Sequence, residues 1–296
     1  MKPSPLRYHR PASLTEALEL LAEVGDAGKV LAGGQSLVPL LSMRLAAPAH
    51  VVDVNAVPGL DAIEVTGGGV RVGALVRHSG LERHAGAAAA LPLLRRAVRY
   101  VAHPTIRNRG TTVGSLVHAD PSAEMPAVLT LLGGHVVVRS LAGGREIAAG
   151  DLFAGPLEST LAPDELAVAA VFPLAGGTTG TAVAELSRRH GDYAVAGVVT
   201  AVRVDDGEVR EVLACYISAG DLGSVVDLTG SLAGQALGSA DWSAAGREAR
   251  GLVSTEADIH ASADYRSQLV EVLTTRAVRD AAHDAVGAGA AEAGAA

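Results

Sequence analysis

Val30-Leu31-Ala32-Gly33-Gly34-Gln35-Ser36-Leu37-Val38-Pro39-Leu40 is the stretch on which the fold turns. Val30 to Ala32 reads as a short buried strand and Leu37 to Leu45 as an apolar helix, with a glycine loop between them. Two adjacent glycines let the backbone approach a ligand and adopt positive φ without a Cβ penalty. The free N–H groups of the following helix point at an anion, and the helix dipole adds to the attraction. Ser36 either caps the helix or donates its hydroxyl to a phosphate oxygen. The loop taken alone is equally an ordinary strand-to-helix turn.

Outward from this loop the pattern is α, β, loop, α, β over the first 55 residues. Ser13 to Val24 reads as a helix with Ser13 and Glu16 spaced as a capping box, and Val51 to Val54 as a strand. Val65 to Leu75 reads as a hairpin around Gly67-Gly68-Gly69. Helices are expected at Leu91–Val101 and Pro126–Leu132, and strands at Gly134–Arg139, Arg145–Ile147 and Leu166–Phe172. A Gly/Thr run, Gly176 to Gly180, marks a boundary. Beyond it come strands at Thr181–Leu186, Ala194–Val204, Glu208–Ser218 and Val225–Leu228, with Asp206-Gly207 as a hairpin turn. Helices follow at Trp242–Val253 and from Ala263 to about Val286. The expected division is residues 1–177 (subdomains about 1–55 and 56–177), residues 178–286, and a frayed Gly/Ala tail, 287–296.

A second run, Arg107-Asn108-Arg109-Gly110-Thr111-Thr112-Val113-Gly114-Ser115, combines glycines, hydroxyls and amide donors. Read as a loop, it forms a backbone nest able to bind a pyrophosphate without lysines. Two such loops in one domain suggest a diphosphate held between two subdomains. No G-x-G-x-x-G opens a helix after a strand, and neither Lys2 nor Lys29 completes a Walker A loop.

Composition narrows the choice. A net charge of −8 argues against nucleic acid, whose phosphates need a basic face. The one cysteine, Cys215, cannot build a disulfide framework, a cysteine zinc site or an iron–sulfur cluster. It lies in the apolar run Val212 to Ile217 and reads as an inert buried thiol. The longest uncharged stretch, Leu166 to Ala184, is broken by Pro173 and the Gly/Thr run, so no transmembrane segment is expected. These features predict a soluble cytoplasmic protein. His118-Ala119-Asp120 reads as a turn ahead of Pro121 in preference to a metal pair, and the ten histidines show no ligand spacing. Arg188-Arg189 and Asp192 are candidates for a surface ion pair, and the Tyr193 ring could cover a ligand. No acid/base machinery is visible.

Five ordered motifs resemble the FAD-binding subunit of the molybdenum hydroxylases, the xanthine dehydrogenase / carbon monoxide dehydrogenase medium-subunit family. They are Ala32 to Leu37; Ile106 to Thr111; His118 to Pro121 with Glu124 and Pro126; Arg188 to Ala194; and Ser262 to Arg266. The resemblance covers about residues 5 to 285. It implies an α+β chain: a two-subdomain FAD domain of the vanillyl-alcohol-oxidase (PCMH) type, then a smaller C-terminal α/β domain with an antiparallel sheet. By position, Leu31, Ala32, Gly33, Gly34, Gln35, Ser36 and Leu37, with Thr111, Gly114 and Ser115, would hold the pyrophosphate and ribityl chain. Glu124 and Asp120 would accept hydrogen bonds from sugar hydroxyls, Val101 and Val168 would contact the adenine or flavin rings, and Tyr193 beside Asp192 would lie near the isoalloxazine. The chain departs from the family at Val113, where the first glycine of a Gly-Gly pair is usual and only the second, Gly114, is kept, and at Ala184-Glu185, where a lysine is frequent. The latter loses a positive charge near the flavin.

The resemblance implies an electron-transfer flavoprotein subunit. A large molybdopterin subunit would oxidise the substrate, a small subunit with two [2Fe–2S] clusters would pass electrons singly to FAD, and the whole would be a dimer of heterotrimers. Gln35, where carbon monoxide dehydrogenases tend to carry histidine, tilts the substrate towards an N-heteroaromatic or other organic compound over CO. A stand-alone FAD-dependent oxidase and a flavin-free nucleotide-binding regulator are the competing readings.

Overall fold

The structure, a computed structural model, describes residues 2–293. The chain begins with β1 (Arg7–His9), α1 (Leu14–Val24), β2 (Gly28–Leu31), α2 (Leu37–Met43) and β3 (His50–Asp53). The Ser13 hydroxyl caps α1 by accepting from the Glu16 N–H, and Glu16 reaches back to accept from Ala12 N–H at 2.7 Å. The three strands form a small parallel sheet in the order β1-β3-β2. Strand β1 was not expected, because Arg7-Tyr8-His9 carries no apolar alternation; it is placed by pairing with β3.

The second subdomain is built on an antiparallel sheet, order β4-β5-β10-β6-β7. Its strands are β4 (Ile63–Thr66), β5 (Gly69–Gly73), β6 (His135–Ser140), β7 (Gly143–Ala148) and β10 (Leu166–Pro173), with a small hairpin of β8 (Phe153–Gly155) and β9 (Glu158–Ser159) beside it. Helices α3 (His78–Arg83), α4 (Ala85–Ala90), α5 (Pro92–Val98), α6 (Pro104–Arg107), α7 (Thr112–His118), α8 (Glu124–Leu131) and α9 (Ala149–Leu152) complete it. One apolar cluster, including Leu21, Val72, Leu94, Leu116, Leu129 and Phe172, serves both subdomains. Strand β10, buried at six of its eight positions and so on both faces, explains why Leu166 to Phe172 reads as a continuous apolar run.

The C-terminal domain is an antiparallel sheet of β11 (Thr179–Ser187), β12 (Ala194–Asp205), β13 (Glu208–Ile217) and β14 (Val226–Asp227), covered by α10 (Thr229–Leu232), α11 (Trp242–Leu252) and α12 (Ala263–Ala293). Asp206 and Gly207 both have positive φ, 53° and 76°, which forms the expected tight hairpin between β12 and β13. The other face of this sheet meets the first domain: Val199, Cys215 and Ile217 belong to the first domain's core cluster.

Two boundaries differ from expectation. Helix α12 continues past Val286 to Ala293, because alanine carries the Gly/Ala stretch as helix; residues 294–296 lie outside the described part. Gly180 is already within β11 and lies so close to α12 that a Cβ there would sit 2.0 Å from the Ala281 carbonyl oxygen. Glycine is needed at this position for close packing of helix on strand, which sequence alone reads as a linker.

Candidate functional site

The glycine loop leaves β2 and enters α2 as expected. Gly34 has φ of +75°, where a side chain is strained. Gly33 is buried against the second run: a Cβ there would lie 2.5 Å from the Arg109 carbonyl oxygen and 2.9 Å from the Thr111 nitrogen. The two loops therefore touch backbone to backbone. Among the described residues the Ser36 hydroxyl makes no capping bond to α2 and is left for another partner.

A cavity of about 300 Å³ opens here, lined by residues 31–35, Val38, Pro39, Asp53, Asn55 and Arg109. A polar network that the sequence reading missed holds its walls. The Asn55 amide donates to the Ala32 carbonyl at 2.8 Å. Arg77 donates to the Asn55 side-chain oxygen and, at 2.7 Å, to the Arg109 carbonyl, joining both loops through one guanidinium. Tyr8 donates to Asp53 at 2.5 Å, and this bond helps hold the Asp53 carboxyl below its usual pKa against the opposing effect of burial. Neither Arg77 nor Asn55 stands in a recognisable motif.

The second run is not the loop that was expected. Residues 104–107 form α6 and residues 112–118 form α7, and the positive-φ residues of the described chain skip 107–115, so no nest of alternating hand exists there. Thr111 is instead the N-cap of α7, accepting from the Gly114 N–H at 3.2 Å. Val113 is a buried helical residue, which explains why the family's glycine is dispensable at this position. Behind the run, His78 is buried with its ring 3.3 Å from the Thr112 hydroxyl, and burial followed by the Arg107 charge pushes its pKa down to about 4. It is a neutral structural histidine.

Helix α7, about 10 Å long at 1.5 Å per residue, leads from this contact to the other half of the site. Its end, His118-Ala119-Asp120, is the expected turn: Ala119 is left-handed and Asp120 accepts from the Ser122 N–H. Asp120, Glu124, Tyr193 and Glu185 come together where the two domains meet. Glu124 is buried in the first turn of α8; burial pushes its pKa up to about 7, Asp120 raises it further, and Arg107 opposes. Glu185 lies on β11, opposite Gly197 of β12, whose missing Cβ would be 3.2 Å from the Glu185 Cγ. Burial first, then the Glu124 charge, pushes the Glu185 pKa up to about 8. Among the described residues its Oε2 is buried with no hydrogen-bond partner. Tyr193 leaves 73% of its surface open, while loss of water around its phenol and the charges of Asp120 and Glu124 raise its pKa.

The turn carrying Tyr193 is pinned across the seam. Gly191, at φ +86°, sits where a Cβ would be 2.5 Å from the His103 Nδ1. Ser218 donates to Ser122 at 2.9 Å, and its N–H donates to the Pro121 carbonyl. Arg107 pairs with Glu82 at 3.1 Å and donates to the Val101 and Ala102 carbonyls, fixing the backbone at Val101. A larger cavity of about 940 Å³ follows the same seam, lined among others by Arg96, Tyr100, Arg107, Thr181, Val183 and His190.

Val168 is buried in β10 beside a register shift at Ala167/Ala169. Asp192 engages only its backbone, donating to the Arg189 carbonyl, and no ion pair joins it to Arg188 or Arg189 among the described residues. Arg266 of the final-helix motif is structural, donating to the Val195 and Glu256 carbonyls and to Asp258. Burial pushes the Cys215 thiol up to about 12, so it is inert. No group of three or more His, Cys, Asp or Glu side chains among the described residues could hold a metal ion, and no described helix is long and apolar enough to cross a membrane.

Two abutting glycine and threonine turns, a free serine hydroxyl, an exposed tyrosine ring and an orphaned buried carboxyl oxygen fit a long, phosphate-bearing, ring-ended ligand such as FAD. Fold and site define a two-domain flavoprotein. Residues 4–175 match the family described as FAD binding domain in molybdopterin dehydrogenase, and residues 181–281 match CO dehydrogenase flavoprotein C-terminal domain. The chain is 40% identical to the nicotine 6-hydroxylase medium subunit of Paenarthrobacter nicotinovorans, over 95% of this chain and 99% of that one. Its fold superposes on quinoline 2-oxidoreductase from Pseudomonas putida 86 with a TM-score of 0.89 and 32% identity, covering 98% of this chain and 100% of the other. Carbon monoxide dehydrogenase from Hydrogenophaga pseudoflava gives a TM-score of 0.88 at 31% identity, covering 96% and 99%. The chain belongs to the family of FAD-binding medium subunits of the molybdenum hydroxylases, and is an oxidoreductase subunit.

Proposed function

We propose that this subunit binds FAD across the two halves of the site and relays electrons to an external acceptor from [2Fe–2S] clusters of a small partner subunit. The clusters would be charged by a molybdopterin subunit that oxidises the substrate, in a dimer of heterotrimers. FAD supplies a carrier that collects single electrons and gives them up in pairs. The contact of Gly33 with Arg109 and Thr111 carries the reading, because it brings both turns onto one ligand.

The residues divide the work. Backbone N–H groups of residues 33–37 and the Ser36 hydroxyl bind phosphate oxygens, as helix starts do. Thr111, Gly114 and Ser115 present the start of α7 from the other side. Asp120 and Glu124 orient hydroxyl groups, Val101 and Val168 supply apolar contact, and Tyr193, with Asp192 before it, covers the ring. The division at residues 177/178 then separates the phosphate-holding domain from the domain that brings Tyr193. The single buried cysteine supports the placing of every cluster ligand on another chain. The names of two relatives, a nicotine hydroxylase subunit and a quinoline oxidoreductase, support an N-heteroaromatic substrate over CO.

The test is purification with the neighbouring reading frames co-expressed. A yellow complex with one FAD on this chain and iron–sulfur spectra on a partner is expected. A colourless chain that takes up no added FAD sinks the reading. A yellow chain that turns over an N-heteroaromatic substrate by itself replaces it with the stand-alone oxidase.

A further inference from the structure

Iron–sulfur clusters deliver electrons without protons. Two electrons placed on a flavin at a domain seam put charge where water is scarce and the local dielectric low, so a nearby group that can take up a proton is favoured to do so. Few groups in this seam can. Arg107 stays charged, being buried against Glu82 and two carbonyls. Asp120 accepts from a backbone N–H in its turn. Tyr100 and Tyr193 face the same space, both held protonated by burial and by the neighbouring carboxylates. Glu82 is paired with Arg107, Asp284 with Arg96 and Asp280 with Arg279, and His103, His190 and His283 are all exposed to water. Glu124 and Glu185 remain as the acids that burial has shifted.

Glu124 starts α8, which packs on β12 and β13. Glu185 lies over bare Gly197 of β12, on the same face of β11 as Thr181 and Val183 by strand alternation. Thr181 and Val183 line the 940 Å³ cavity together with Tyr100, whose phenol feels the Glu185 charge, so the cavity reaches the neighbourhood of Glu185. The orphaned Oε2 of Glu185 is the one carboxyl oxygen at the seam that is buried and without a partner among the described residues. A buried polar atom with nothing to bond is costly unless function uses it.

We propose that Glu124 and Glu185 form a redox-linked proton site, taking a proton from water when the flavin beside them is reduced and returning it when the flavin is oxidised. The balance is simple. The ring gains two electrons and one proton and carries one negative charge; the carboxyl pair gains one proton; two electrons and two protons have entered, and the net charge of the seam is unchanged. On reoxidation two electrons leave to the acceptor and both protons return to water. The pair suits this task because it is poised near neutrality: Glu124 ionises first, and its charge then keeps the remaining proton on Glu185. Two histidines line the cavity, His190 and His283, and both are exposed to water.

The inference rests on the proposed binding of FAD by this chain, and one experiment separates the two. The full chain is loaded with FAD, bound flavin is measured, and its midpoint potential is followed from about pH 7 to pH 9, the window set by the pair. The proton-to-electron ratio follows from the slope, at about 30 mV per tenfold change in equilibrium constant for a two-electron couple. The wild-type protein is expected to take up two protons per two electrons within this window. Glu185→Gln, at a residue with no part in holding FAD, should lower that towards one proton while bound flavin is retained. A wild-type ratio of one across the whole window overturns the proposal and needs no variant. Loss of the second proton only above about pH 9, equal in wild type and the Glu185→Gln variant, overturns it as well. Absence of bound FAD overturns the underlying flavin reading instead.

Discussion

Gly33 and Arg109, far apart in sequence, meet so closely that a β-carbon on the first would lie 2.5 Å from the carbonyl oxygen of the second. That contact joins the small parallel subdomain to the larger one at the point where both offer backbone to a ligand. Gly33→Ala should force the loops apart, costing about 1–3 kcal/mol of stability by overpacking. Its larger effect should be on the ligand: FAD affinity is expected to fall at least tenfold. Fluorescence titration of the apo chain with FAD, beside thermal unfolding, checks both.

Arg77 ties the same loops together, donating to Asn55 and to the Arg109 carbonyl. Arg77→Ala leaves two acceptors without their donor, a loss of about 1.5–3 kcal/mol for a hydrogen bond to a charged group. Arg77→Lys should recover only part, since one ammonium lacks the planar fork that serves two acceptors. FAD affinity should rank wild type, lysine variant, alanine variant; equal affinity in all three refutes the role.

The pH dependence of stability has a sign that can be worked out. Glu124 and Glu185 have folded pKa values raised above the unfolded 4.5, to about 7 and about 8. Their contribution is fully present below pH 4.5 and is lost as pH rises through the folded values. His78 is depressed from 6.5 to about 4, so its contribution is present above 6.5 and lost as pH falls towards 4. Above pH 6.5 the acids act alone, and the apo chain should lose stability between pH 6.5 and 8. Glu185→Gln should flatten that decline and gain roughly 1–3 kcal/mol at pH 8. Denaturant midpoints across pH measure it, and an unchanged decline in the variant counts against the burial of the charge.

Gly180 and α12 supply a test remote from the ligand. A methyl at 180 would press on Ala281 and Ala285 backbone, which cannot swing aside. Gly180→Ala should lift α12 from β11, disturb the Arg96–Asp284 pair and the Asp284 bond to the Thr181 N–H, and lower Tm by several degrees. FAD bound at residues 31–37 should be affected less than by Gly33→Ala. A Tm within error of wild type would show that the helix can shift.

Much of this architecture is legible in the residues. The hairpin at Asp206-Gly207, the buried run of β10 and the capping box at Ser13 are local signals, fixed by φ preference, apolar continuity and spacing. The glycine loop is legible for the same reason. What escapes is set by contacts distant in sequence. Strand β1 has no pattern of its own and exists by pairing with β3. The run 107–115, rich in glycine and threonine, is helical at both ends because Thr111 caps α7 and the buried Arg107 anchors α6. Arg77 and Asn55 belong to no motif, and their roles follow only from the approach of the two subdomains. Glu185 is conspicuous in sequence as a missing lysine, but its unpartnered oxygen is a property of the assembled seam.

Cys215 lies within β13 with its thiol pushed up to about 12, so scarcely any thiolate exists at neutral pH. The native chain is thus silent towards maleimides and other thiol reagents while it stays folded. A cysteine introduced on the surface near Tyr193 would be labelled alone, giving a spectroscopic ruler from this subunit to its partners without first removing a native residue.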